Sequence, residues 1–341
     1  MSVALAVAPV LLLLALLQLM DTFRLVRPGA VLASIGAGVA VALVCLPLHD
    51  WVLETTGLPL PALMRYVAPV TEEFLKALVV VILLSRRRVG FVVDAAVHGF
   101  AVGAGFAIVE NMDYLSHLAQ APLLLWFARG LGTATLHGTL TAVFAIAAKS
   151  MLDRGERRLW IAAAPGLALV TAIHSLFNHL PLPPLALTAV VLMVMPWVMI
   201  AAFQQSERAT REWVGAGLDL DMVLLDLIRS DLFASTRFGA YLGELRARFG
   251  GVVVADMCCL LRLELELAIQ AKAMLLAHDS GLAIPVTPDL RASLHELASL
   301  QASIGRTGLL ALAPLQVSSD RDRWHRYLLA ADAPSAPPAA R

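Results

Sequence analysis

The sequence predicts an all-α polytopic membrane protein: a bundle of about seven spanning helices with its N-terminus outside, followed by a helical cytoplasmic domain. Three observations predict it. The 341 residues are 59% hydrophobic and only 15% charged, whereas a water-soluble chain draws on roughly a quarter charged residues. The charge deficit is confined to residues 1–205, while the rest has a soluble protein's mixture. Within 1–205 the apolar runs approach the ~20 residues that a helix needs to cross the hydrocarbon core.

The expected spans lie at about 3–20, 29–48, 62–84, 90–114, 123–150, 159–180 and 185–203. The first lacks the basic start and small-residue cleavage site of a signal peptide, so it reads as a retained span. Basic residues set the orientation. Arg24 and Arg27, then Arg86, Arg87 and Arg88, then Lys149, Arg154, Arg157 and Arg158, then Arg208 and Arg211 follow odd-numbered spans. The opposite loops offer Arg65, with Arg129 near the entry to the fifth span. Positive charge stays inside, which predicts a cytoplasmic C-terminal domain; the expected location is the cell (inner) membrane.

Residues 206–332 read as amphipathic helices at about 219–232, 237–249, 252–278, 288–304 and 319–329. Thr287-Pro288-Asp289 is a capped helix start with proline in the first turn. Gly250-Gly251 is a break, and the Pro/Ala-rich residues 333–341 read as a disordered tail. Acidic and basic residues balance at 26 each, so nothing in the charge favours a nucleic-acid partner. The three cysteines, Cys45, Cys258 and Cys259, make neither a disulfide framework nor a metal ribbon and read as small hydrophobes.

Ionisable groups inside a span cost about 2.5–3.5 kcal/mol each on insertion scales and mark function by default. The third span carries Glu72-Glu73-Phe74-Leu75-Lys76. Lys76 lies one turn from both acids, so it can neutralise one and leave the other available as a base. The fourth span carries Glu110 near its outer end, and Gly99, Gly103 and Ala107 form a stripe that permits close helix approach. Asp94 and His98 share another face and read as a local polar pair, with a part in a path to the site or in its surroundings as the alternative. His137 sits near the middle of the fifth span, and His174 and Asn178 share a face of the sixth. At ~1.5 Å per residue, Glu72, Glu73, His137 and His174 fall at or just outside the midplane, with Glu110 and Asn178 a turn or two further out. Scattered structural polar residues would not share a level.

This set can activate water against a carbonyl. One glutamate takes the water proton. The histidines either hold a divalent metal or donate to the developing oxyanion, and Asn178 supplies a further donor. Glu110, His137 and His174 make a three-ligand set with an open position, as in catalytic zinc sites. Neither a Gly-x-Ser-x-Gly elbow nor a His-Glu-x-x-His helix is present, which argues against serine hydrolases and excludes zincins.

Glu72-Glu73-Phe74-Leu75-Lys76, Phe106-Ala107-Ile108-Val109-Glu110-Asn111, His137 and His174-Ser175-Leu176-Phe177-Asn178 together resemble the PrsW-type intramembrane proteases, in order and in helix placement. The wider group includes the CAAX prenyl proteases. These carry an arginine one residue beyond the position of Lys76 and a histidine where Glu110 stands, so both departures fit the PrsW branch. The resemblance covers about residues 61–180. It implies peptide-bond hydrolysis in or beside the bilayer, with Glu72, Glu73, Lys76, His174 and Asn178 catalytic. It also implies a divalent metal such as Zn2+ and a membrane-protein substrate. In the family's best-known role that substrate is a single-pass anti-sigma factor.

Two other classes compete. An ion-coupled transporter predicts two similar halves with interrupted helices, and no such repeat is visible. A non-catalytic sensor or scaffold predicts satisfied polar pairs without an open position.

Overall fold

The computed structural model describes residues 11, 12, 14, 15, 28–86, 88–117, 123–156, 158–179, 183–279, 282 and 288–315. Among the described residues the chain is helical, with no strand. Helix α1 runs Pro28–Thr56 and stops at Gly57, whose φ of 65° is the left-handed conformation glycine tolerates. A short turn, Leu60–Ala62, and a π-helical turn, Leu63–Val67, lead into α2, Ala68–Ser85. Then come α3 (Val92–His117), α4 (Leu123–Asp153), α5 (Leu159–His179) and α6 (Pro184–Arg229). Last are α7 (Arg237–Asp279) and α8 (Pro288–Leu312).

Four of these helices have segments long and apolar enough to cross a membrane: Pro28–Thr56, Val92–Tyr114, Leu131–Asp153 and Leu159–His179. The expected span at 62–84 departs from a simple crossing helix. Its start is broken by the π turn, and α2 carries Glu72, Glu73 and Lys76 within 18 residues. The expected first span falls almost wholly outside the described residues, as do helix 319–329 and tail 333–341.

The chain divides into two compact units, Met1–Glu207 and Arg208–Arg341. In the first, α3 is the central helix. Gly99 and Gly103 meet α4 so closely that a Cβ on Gly103 would overlap the carbonyl of His137. Gly105 meets the backbone of Ile35 on α1, and Gly38 of α1 meets Val102 and Phe106. Lipid gives helices no hydrophobic reason to associate, so close backbone packing of this kind has to supply the attraction. Ala96, Ala101, Ala104 and Ala107 complete the buried surface of α3.

The expected Asp94–His98 pair is corrected by the hydrogen bonds each residue makes. Asp94 Oδ2 accepts from the backbone N–H groups of Gly90 and Phe91, capping its own helix. His98 Nδ1 instead bonds Ser34 Oγ of α1 at 2.8 Å. An uncapped helix start has orphan N–H groups, and Asp94 satisfies two of them.

The second unit is built on Leu242, Met257, Leu260, Leu267, Leu290, Leu297 and Ile304. The helix expected to start near 219 is the end of α6, which is continuous from Pro184. Gly250 (φ 77°) interrupts α7 where the Gly-Gly pair predicts a break, and Gly305 (φ 69°) interrupts α8. Cys45 is buried in the first unit, while Cys258 and Cys259 are half-buried; all three are free thiols.

Candidate active site

Four helices bring the costly polar groups of the first unit together. Helix α2 presents Glu72, Glu73 and Lys76 on consecutive inward positions, all buried. Lys76 Nζ donates to Glu73 Oε1 at 2.6 Å and lies 2.9 Å from His137 Nδ1 on α4. His174 of α5 approaches Glu73 Oε1 at 2.9 Å through Nδ1. His137 Nε2 lies 2.8 Å from Glu110 Oε2 on α3. The two imidazoles stand edge to face, ring centroids 5.1 Å apart.

An ammonium has only donors, so with Lys76 charged and no metal bound His137 Nδ1 accepts from Lys76 and Nε2 carries the proton that faces Glu110; a metal on His137 would take Nε2 in place of that proton. A carboxylate only accepts, so His174 Nδ1–H donates to Glu73 and His174 Nε2 keeps its lone pair. A carboxylate behind an imidazole in this way orients the ring as a ligand or base.

Glu72 is set apart from the other two acids. Its Oε2 is buried with no hydrogen-bond partner among the described residues. Lys76 is therefore spent on Glu73, and Glu72 is the acid left with an open oxygen. A buried carboxylate oxygen without a partner costs free energy that a water, a proton or a cation would recover.

The residues fit a metal on two counts. Glu72, His137 and His174 each offer a ligand atom, all within 4.8 Å of one another, and all three are buried. Lys76 offsets one of the adjacent acids Glu72 and Glu73, and Glu110 adds a further carboxylate behind His137, so the cluster carries two formal negative charges in excess, the charge that a divalent cation neutralises. This set differs from the Glu110, His137 and His174 combination read from the sequence. Glu72 takes the third place, and Glu110 stands behind His137 with a side chain 30% exposed.

Asn178 departs furthest from expectation. Its Nδ2 donates to the backbone carbonyl of Met64 at 2.7 Å, so the amide is engaged with the π turn. Two contributors have no counterpart in the sequence-based site. The Phe106 ring lies under Lys76, 4.6 Å from Nζ to centroid, and packs against His137. His49 Nε2 bonds Thr71 Oγ1 at 2.8 Å, next to Glu72. An imidazole at the end of an apolar run is the available signal for His49, which stands one residue past the expected span 29–48.

Fold and site together define a helical membrane protein with a buried acid–imidazole cluster suited to a divalent metal. The family model described as PrsW family intramembrane metalloprotease matches residues 25–203. The chain belongs to that family, and membership supports intramembrane proteolysis as its activity. No curated protein and no solved structure matches the chain.

Proposed function

We propose that the protein is an intramembrane endopeptidase that cuts membrane-embedded segments of other proteins, with Glu72, His137 and His174 holding a zinc ion. The observation that carries this reading is the buried, partnerless Oε2 of Glu72 beside two imidazoles. Two nitrogens and a carboxylate oxygen suit zinc and leave a position for water. Bound there, the metal would lower the pKa of its water and polarise the scissile carbonyl.

The remaining residues prepare that chemistry. Glu73 keeps the proton of His174 on Nδ1, so that Nε2 points its lone pair into the site. Lys76 neutralises Glu73 and holds His137 by Nδ1. Glu110 is the carboxylate with access to solvent. It takes the proton of the attacking water and returns it to the leaving amide nitrogen.

Both nitrogens of His137 already have partners, which favours a second reading. Without metal, Glu72 itself activates the water and His174 assists. Seven spans, an external N-terminus and a cytoplasmic second unit complete the proposal, on the strength of the arginine pattern. The substrate is a single-span membrane protein.

The test is cleavage of a panel of single-span peptides by purified wild type, Glu72→Gln and His174→Ala. Loss of cleavage in both variants is expected, and equal cleavage by all three proteins defeats the enzyme reading. Elemental analysis separates the two mechanisms. Stoichiometric zinc in wild type that disappears in His137→Ala supports the metal; active wild type without zinc supports glutamate and histidine alone.

A further inference from the structure

The backbone leading into α2 is interrupted, and the interruption has a visible cause. Pro69 has no N–H, and its ring clashes with the carbonyl four residues back, Arg65 O. The chain responds by widening into the π turn Leu63–Val67, in which the N–H of Ala68 reaches back to Leu63 O. Met64 O then has no backbone donor in either register. Its α partner, Ala68 N–H, is taken, and its π partner would be Pro69. Arg65 O loses its α partner to the same proline.

Two side chains of α5 meet those two carbonyls. Asn178 Nδ2 donates to Met64 O at 2.7 Å and Ser175 Oγ donates to Arg65 O at 2.7 Å. The ring of Tyr66 stands edge-on to His179, centroids 4.9 Å apart. From the α1 side, His49 bonds Thr71 Oγ1, whose hydroxyl turns back to Val67 O and Ala68 O. A broken helix is tolerated in lipid where neighbouring side chains satisfy the freed backbone. The same stretch of α5 carries His174, bonded to Glu73. Side chains at 174, 175 and 178 thus fix the register of α5 against α2, and with it the distance from Glu72 to His174.

We infer that Ser175 and Asn178 form a clasp on the π turn. They act as positioning residues for Glu72 and Glu73, with Asn178 serving the backbone of Met64 rather than an oxyanion. The effect on cleavage rests on the protease reading above; the clasp itself does not.

The experiment is a cycle in the full-length protein between Asn178→Ala and Pro69→Ala, read in two ways. Pro69→Ala restores an N–H at the break and so removes the need for the clasp. Hydrogen–deuterium exchange over residues 63–71, measured without substrate, is expected to rise about tenfold in Asn178→Ala, and to change less than about threefold on adding it to Pro69→Ala. Cleavage should fall roughly ten- to a hundredfold in Asn178→Ala, mostly in kcat, and much less in the Pro69→Ala background. Equal losses in both backgrounds, with exchange unchanged, would make Asn178 an oxyanion donor and overturn the clasp. Ser175→Ala keeps the inference testable if Pro69→Ala misfolds: it should raise exchange over the same residues, and a variant indistinguishable from wild type overturns the clasp. A wild type that cleaves no peptide ends the protease reading, while the exchange measurement still decides the clasp.

Discussion

Each unit of the molecule holds one lysine almost without exposure, Lys76 at 0% and Lys272 at 1%, and the two are treated differently. In the second unit Lys272 Nζ meets Asp221 Oδ2 at 2.6 Å, and these are its two buried charges among the described residues. One of each sign is present. In the first unit Lys76, equally buried, meets Glu73 at 2.6 Å with Glu72 adjacent and two imidazoles close by. The first arrangement balances; the second keeps surplus negative charge and an oxygen without a partner. A buried pair can be replaced by apolar residues at little net cost, whereas a surplus of the kind around Glu72 has a reason only if something binds or reacts there.

The comparison can be broken at several points. The largest effect is expected at Glu72: Glu72→Gln should lower peptide cleavage by at least ~10²-fold while leaving the melting temperature of the metal-free protein unchanged or higher, because a buried acid whose Oε2 has no hydrogen-bond partner is replaced by a neutral amide. A large loss of thermal stability in this variant would mean that Glu72 is structural.

Next come the lysines. Lys76→Met and Lys272→Met should each destabilise the protein by about 3–5 kcal/mol, since each takes the cation away from a buried carboxylate; thermal or denaturant unfolding in detergent measures both. Lys76→Met should also abolish cleavage, whereas Lys272→Met should preserve it at temperatures where the protein stays folded. Gly103→Ala forces a Cβ against the His137 carbonyl and should cost about 1–3 kcal/mol, with reduced cleavage as His137 shifts. Smallest of all, Lys272→Met combined with Asp221→Leu should restore stability to within about 1 kcal/mol of wild type. Lys76→Met with Glu73→Leu should not restore cleavage, because His174 loses the acceptor that orients it. Recovery of cleavage by that double variant would equate the two clusters and remove the distinction between them.

Much of the fold and part of the cluster were legible in the chain. The helical character of 90–114, 123–150 and 159–180 followed from apolar length, and α3, α4 and α5 begin and end within a few residues of those limits. The stripe at Gly99, Gly103 and Ala107 announced the close approach to α4, because absent side chains are visible in a sequence. The second close approach, Gly105 against Ile35, was not foreseen, since a lone glycine does not name its neighbour. The break before α2 was also missed: Pro69 was visible, but whether a proline ends a helix or widens it depends on donors from elsewhere, here Ser175 and Asn178.

The sequence by itself determined which residues are too costly to bury in an apolar helix without a purpose, and how far along each helix they fall, because burial cost and helical rise are properties of the chain. Tertiary structure decided how they divide the work. Lys76 could reach either neighbouring glutamate along its own helix; His174, arriving from α5, shares Glu73 with it and leaves Glu72 open. Asn178 could face the site or the backbone, and the carbonyl freed by Pro69 draws it to the backbone. Such choices depend on which donors and acceptors other helices bring within about 3 Å, and spacing along one chain carries no record of that.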